Sequence, residues 1–232
     1  MGGKPPGLFV TGTGTGVGKT YVACLIARTI AASGKRVGVY KPVESGVERT
    51  DGSDSQLLAA AAGRAGEEGR TCPQQFRAPL APHLAAAGED RQVDEDLLRS
   101  GIYYWQQRSD FVLIEGAGGL MSPLSPNEYV ADLAIDLGYP LLVVAPNTLG
   151  VINQTLQTLI AASTFRDGLE VAGIVLNDLG SSGDISVDSN RKELEARCVP
   201  PVVAQLAHGT DRFDADVDWL GLAAGGDDPS ET

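Results

Sequence analysis

Leu8-Phe9-Val10-Thr11-Gly12-Thr13-Gly14-Thr15-Gly16-Val17-Gly18-Lys19-Thr20 decides how the rest of the chain is read. An apolar strand, Leu8–Thr11, runs into a turn with four glycines in seven residues. Residues without a Cβ let the backbone bend tightly and turn its N–H groups around an anion. Gly12, Thr13, Gly14, Gly16, Val17 and Gly18 are therefore candidates to wrap phosphate oxygens. Lys19 adds positive charge at the outer phosphates, and the Thr20 hydroxyl suits Mg2+. Lys19–Ser33 has helical character, so the positive end of its dipole faces the same anion. The strict phosphate-loop pattern has four residues between its first glycine and Gly-Lys-Thr, whereas five separate Gly12 from Gly18. Strand, glycine turn, Lys-Thr and amphipathic helix still occur in the required order, which a flexible glycine linker would not show. A nucleoside triphosphate is the natural occupant.

Outward from this segment, apolar runs alternate with helical stretches. Strands are expected at Leu8–Thr11, Val37–Lys41, Phe111–Glu115, Leu141–Ala145, Val171–Leu176 and, more weakly, Pro201–Ala204. Their near-continuous apolar character suits strands buried on both faces. Helices are expected over Lys19–Ser33, Ser53–Ala65, Val93–Arg108, Val130–Leu137, Gly150–Phe165 and Ser186–Cys198. Ser53 is a good N-cap. Gly34 stops the first helix, and Gly168 follows the fifth. This alternation predicts an α/β fold, a mostly parallel sheet with helices on both faces. Ligands then collect beyond the carboxyl ends of the strands. Lys41–Gly46, Glu115–Gly119, Pro146–Gly150 and Asn177-Asp178 should join the glycine turn at that rim. The proline-rich stretch Thr71–Arg91 reads as one long functional loop. One domain over residues 1–224 and a disordered acidic tail over 225–232 complete the expected organisation.

Composition narrows the partners. Of 232 residues, 43% are apolar, enough for an ordinary core. Eighteen basic against thirty acidic residues give a net charge of −12. That argues against nucleic acid or an anionic membrane as the main partner, since both need a basic surface. Cys24, Cys72 and Cys198 are odd in number and far apart, as in a protein with reduced thiols. Two histidines, His83 and His208, make a multi-histidine metal site a poor expectation. No run approaches a membrane span, and Met1–Gly7 lacks the apolar core of a secretion signal. Cytoplasm is the expected location.

Single residues at strand ends carry the chemistry, each with a plainer alternative. Glu115 ends a buried strand where phosphate-loop proteins often hold a carboxylate near Mg2+, or it is a strand-end acid facing solvent. Gly116-Ala117-Gly118-Gly119 allows close approach and offers N–H donors. Lys41 could neutralise charge on a transferred phosphoryl group, or snorkel at the surface. Asp54 beside Ser53 suits a first helical turn for dipole reasons alone. Asn177 could read an adenine edge with both a donor and an acceptor, or begin an Asx turn toward Gly180. Neither a Ser-His nor a Cys-His nucleophile pairing stands out.

Gly12–Thr20, Tyr40-Lys41-Pro42-Val43-Glu44-Ser45-Gly46, Pro79–His83, Glu115–Gly119, Leu149-Gly150-Val151-Ile152-Asn153 and Asn177-Asp178 together resemble the dethiobiotin synthetases. The resemblance spans roughly Leu8–Leu206 and is strong to Asn177. The five-residue spacing of the glycine turn is that family's own. It implies a three-layer P-loop NTPase fold and an ATP- and Mg2+-dependent ligase acting on 7,8-diaminopelargonic acid and CO2. The carbamate of one amine attacks the γ-phosphate, and the second amine closes a urea ring and expels phosphate. By the same resemblance, Lys19, Lys41 and Thr15 act on the reacting groups. Thr20, Asp54 and Glu115 hold Mg2+, Gly118 lies beside the nucleotide, and Asn177 reads adenine. Ser45 binds near the diamine. Gly150 and Asn153, contributed by a neighbouring subunit, take the substrate carboxylate, which implies a homodimer. Gly16 stands where many members carry an acid, and Gln154 where histidine is frequent. Val202–Leu206 matches the family's adenine loop poorly, which points to nucleotides beyond ATP. Two other readings compete. An amidotransferase-type synthase would need a longer chain with a glutaminase part. A chromosome-partitioning nucleotide switch would want a lysine early in the glycine loop, where Gly14 stands, and a basic or amphipathic surface.

Overall fold

The strand–helix alternation closes into three layers. The structure, a computed structural model, describes residues 3–47, 52–180 and 183–225. In chain order the elements are β1 (Gly7–Gly12), α1 (Lys19–Ala32), β2 (Val37–Tyr40), β3 (Glu44–Ser45), α2 (Asp54–Ala61), α3 (Glu68–Thr71), β4 (Gln75–Phe76), α4 (Pro82–Ala87) and α5 (Glu95–Ser100). There follow α6 (Tyr103–Gln106), β5 (Phe111–Glu115), α7 (Val130–Leu137), β6 (Leu141–Pro146), α8 (Val151–Thr164), β7 (Val171–Asn177), α9 (Val187–Glu195), β8 (Val202–Leu206) and α10 (Trp219–Ala223). Six strands form one sheet in the order β2-β5-β1-β6-β7-β8, and every pairing is parallel. β1 lies inside the sheet: Leu8 is level with Leu113, and Phe9 with Leu141.

Alternation along β1 builds both cores, because successive side chains point to opposite faces. Leu8 and Val10 pack with α1, Leu58 of α2 and Trp219 of α10. Phe9 packs on the other face with Leu98, Trp105 and the apolar side of α7. Val151 and Leu194 carry that second layer over β6 and β7 through α8 and α9. Strands covered on both faces are apolar over most of their length, as β1, β5 and β6 are, with Thr11 and Glu115 the polar exceptions toward the carboxyl ends.

Three expectations are corrected. The helix expected over Val93–Arg108 is two short helices, α5 and α6. The Tyr40 hydroxyl lies 2.9 Å from both the Leu97 and the Leu98 carbonyl and can donate to either, while Leu97 still accepts the Gly101 N–H at the end of α5. Gly101 lies so close to that ring that a Cβ would overlap the Tyr40 hydroxyl. The helix from Ser53 ends at Ala61 rather than Ala65, with Gly63 in the left-handed region, φ 69°. The stretch 71–91 is not one irregular loop. It carries β4, paired in parallel with β3, and α4, which starts on Pro82 at a position where a missing N–H costs nothing. Most of the acidic tail expected from 225 lies outside the described residues.

Candidate active site

The glycine turn leaves β1 at its carboxyl end and enters α1 at Gly18, φ 89°. Gly16 is also left-handed, φ 74°. No side chain caps α1 and no acid sits in its first turn, so its free N–H groups remain for an anion. Asn177 props the turn from below, its Nδ2 donating to the Val17 carbonyl at 3.0 Å. A Cβ on Gly18 would overlap that amide, so only glycine fits there. Val17 is buried against Gly12, where a Cβ would stand 2.6 Å from Val17 Cγ2.

Two strands on one side of β1 deliver the charged groups. Lys41 follows β2 and Glu115 ends β5, and both are buried. The Lys41 ammonium bridges two carboxylates, 2.6 Å to Glu115 Oε1 and 2.8 Å to Asp54 Oδ2. Thr20 donates to the same Glu115 oxygen at 2.8 Å. Lys19 Nζ reaches back to the Gly14 carbonyl at 3.3 Å. Burial drives the Lys41 pKa down, but Glu115 and Asp54 outweigh it and hold the ammonium above the ordinary lysine range. Burial opposes ionisation of Asp54 too, yet Lys41 keeps its carboxyl below the usual value. Burial lowers Lys19. Glu115 Oε2 is buried with no hydrogen-bond partner.

A cleft of about 1220 Å3 opens over this cluster. Thr15, Gly16, Gly18, Lys19, Thr20, Lys41, Ser45, Asp54, Glu115 and Gly118 all border it, which brings most of the expected residues together. Ser45 donates its hydroxyl to the Leu80 carbonyl at 2.7 Å, tying β3 to the Pro79–Pro82 wall. Gly12, Thr13 and Gly14 face a smaller cavity of about 400 Å3, shared with Gln154, Gln157 and Thr158 of α8. In the Gly116–Gly119 turn two donors are already taken: Gly116 N–H bonds Val10 and Gly119 N–H bonds Ser122 Oγ at 2.9 Å. Ala117 and Gly118 are the ones left.

Gly150 and Asn153 are not brought in. Both are exposed at the head of α8 and border neither cavity. Asp184 already accepts the Leu149 N–H there at 2.7 Å. Of the five loops expected to converge, three border the cleft: the Pro146–Gly150 and Asn177-Asp178 turns do not, and Asn147 instead accepts from Asn190 of α9 at 2.9 Å. Asn177 does not present a free amide edge, since one of its N–H bonds braces Val17.

Sequence reasoning missed Glu44. This buried carboxylate caps α2, accepting from Asp54 N–H at 2.7 Å and from the Ser55 hydroxyl at 2.8 Å. It sets the helix start that aims Asp54 at Lys41. Its partners lie ten and eleven residues downstream, so no local pattern announces it.

Residues 6–211 match the family described as an AAA domain. The ATP-dependent dethiobiotin synthetase BioD of Rhodopirellula baltica is 41% identical over 213 residues, covering 85% of this chain and 82% of that protein. The synthetase of the same name from Anaeromyxobacter dehalogenans (strain 2CP-C) is 45% identical over 188 residues, covering 81% and 83%. The chain belongs to the dethiobiotin synthetase family. Among solved structures, the signal recognition particle receptor FtsY of Elizabethkingia anophelis matches with a TM-score of 0.54 at 18% identity, over 96% of this chain and 65% of that one. A ParA family ATPase of Chlorobium tepidum TLS matches at 0.51 and 12% identity, over 89% and 86%. These two likenesses concern the three-layer P-loop fold alone, and the fold agrees with the sequence expectation.

Proposed function

We propose that this chain is a dethiobiotin synthetase that closes the ureido ring of dethiobiotin from 7,8-diaminopelargonic acid and CO2, using ATP and Mg2+. The observation that carries the reading is the Lys41 ammonium held between Glu115 and Asp54, beside Lys19 and the glycine turn. Charge there develops on phosphoryl and carbamate oxygens. Fixed cations and free helical N–H groups stabilise it without a protein nucleophile.

In the reaction, one substrate amine takes up CO2 as a carbamate, whose oxygen attacks the γ-phosphorus while ADP leaves. The second amine attacks the carbamoyl carbon, and inorganic phosphate departs as the ring closes. Gly16, Gly18 and the head of α1 seat the phosphates. Lys19 and Lys41 face the transferred group, with Thr15 beside it and Ser45 on the diamine side. Asn177 keeps Oδ1 as an acceptor for a base amino group.

The residues fit Mg2+. Thr20 donates its proton to Glu115 and so turns its lone pairs outward. Glu115 Oε2 is an orphaned buried acceptor, and Asp54 stands across from it. Among the described residues no three His, Cys, Asp or Glu side chains form a metal cluster. A pair of carboxylates and a hydroxyl suits an ion held mostly by phosphates and water. When bound there, the ion would supply charge neutralisation for the phosphate oxygens.

A second copy of the chain supplies the other end of the substrate site, on this reading. Gly150 and Asn153 lie exposed outside their own cleft, and the neighbouring Leu149 and Ile160 are 81% and 61% exposed. Such a pair of copies works in the cytoplasm with small-molecule partners. The net charge of −12 disfavours nucleic acid, and no described helix is long and apolar enough to cross a membrane.

Purified protein with ATP, Mg2+, bicarbonate and the diamine tests the proposal. Phosphate release that needs the diamine, with labelled carbonate entering a stable urea, is the expected result. Hydrolysis indifferent to the diamine but stimulated by DNA would overturn it.

A further inference from the structure

Lys41 and Glu115 emerge from strands on one side of β1, so the γ-phosphate end of a nucleotide lies on that side. Its base must then extend across Gly18 toward the other side, where β7 and β8 end. Here two turns are fastened to each other. Asp178 N–H bonds the Leu206 carbonyl at 2.8 Å, and Gly180, φ 80°, lies flat against His208. A Cβ at Gly180 would come within 2.8 Å of that ring. Leu179, 41% exposed, sits beside Gly18. The turn after β8 is closed by Thr210, whose Oγ1 donates to Ala207 at 2.8 Å.

A hydrogen bond joins the second of these turns to the phosphate-binding helix. Tyr21 directly follows Thr20, is 42% exposed, and donates its hydroxyl to the Thr210 carbonyl at 2.7 Å. The bond spans 189 residues of sequence and contributes to no core cluster. We infer that Tyr21 is a positioning residue for the nucleobase, its hydroxyl fixing the Ala207–Thr210 turn as one wall of the seat into which the base fits. The inference rests on the nucleotide reading above. It also locates base discrimination in a tether from α1 rather than in the sequence of β8, which the family pattern left poorly matched.

Tyr21→Phe removes the tether and keeps the ring. Titration of the full-length protein with ATP and with inorganic tripolyphosphate, both with Mg2+, separates base from phosphate contributions. A lost neutral hydrogen bond predicts about fivefold weaker ATP binding, tripolyphosphate binding within about twofold, and an unchanged melting temperature. The KM for ATP should rise more than kcat falls, and the preference for ATP over other triphosphates should narrow. Equal weakening of both ligands, or no weakening of ATP, would overturn the inference. A wild-type protein that binds tripolyphosphate as tightly as ATP would instead remove the nucleotide reading on which it stands.

Discussion

α1 and α8 begin alike and end up in different surroundings. Each has 14 residues, opens on a left-handed glycine (Gly18, φ 89°; Gly150, φ 95°) and lacks a side-chain cap. At the head of α1 the chain itself fills in every neighbour: Asn177 beneath, Thr20 and Glu115 beside, Lys41 across. A Cβ on Gly18 has no room, whereas one on Gly150 would meet nothing within 4 Å. Two helix ends of equal intrinsic polarity thus differ in completeness. The head of α1 is completed within one chain, and the head of α8 stands exposed.

The sharpest way to break this comparison is to damage the finished end. Lys41→Met leaves Glu115, 1% exposed, without its counter-ion. Turnover should fall by roughly a thousandfold, and stability by about 3 kcal/mol, because an uncompensated charge stays buried. Steady-state rates and denaturant midpoints measure both, and near-wild-type turnover would refute the role of Lys41. The open end should respond more gently. Asn153→Asp places negative charge where the substrate carboxylate is proposed to sit. The KM for the diamine should rise about tenfold while ATP binding holds. Mixing the two variants then tests where the halves come from. If each site joins one chain's rim to its partner's α8, random pairing gives about a quarter of wild-type activity when assayed well below the KM for the diamine, against about a twentieth if both ends lie in one chain. Activity equal to the mean of the two separate variants would place both ends in one chain. The smallest expected effect is at the carboxylate that caps α2. Glu44→Gln keeps one acceptor for the head of α2 but loosens Asp54. The Mg2+ concentration for half-maximal rate should rise about threefold, and direct Mg·ADP titration should weaken in step. An unchanged Mg2+ requirement would reduce Glu44 to a plain helix cap.

The parts of this site that could be read in the sequence are those whose signal is local. The glycine turn, Lys41 and Glu115 each sit at the end of an apolar run, and a buried strand leaves little choice about where its polar end emerges. Six strands and four of the long helices follow from the same periodicity. The rest depends on contacts between distant segments. The Tyr40 ring and hydroxyl reach the end of α5 and Gly101 across more than 50 residues, and nothing in Val93–Arg108 itself reports that contact. Asn177 was legible as polar, but its use as a prop needs the position of Val17. α4 did carry a signal, since Pro82 ahead of Leu84-Ala85-Ala86-Ala87 is a good helix start. The neighbouring prolines at 73 and 79 obscured it.

The position of β1 has a consequence for how the chain is made. β1 is made before the strands it pairs with, so it emerges with Leu8, Phe9 and Val10 uncovered and both hydrogen-bonding edges unpaired. Its partners are Leu113 and Leu141, which follow more than a hundred residues later. At ribosomal speeds of about 5–20 residues per second, that is a wait of roughly 5–25 s. During that interval this apolar strand is a sticky ribbon on the nascent chain. Chaperone supply and codon speed between residues 13 and 140 should therefore govern yield more than any substitution on the finished surface.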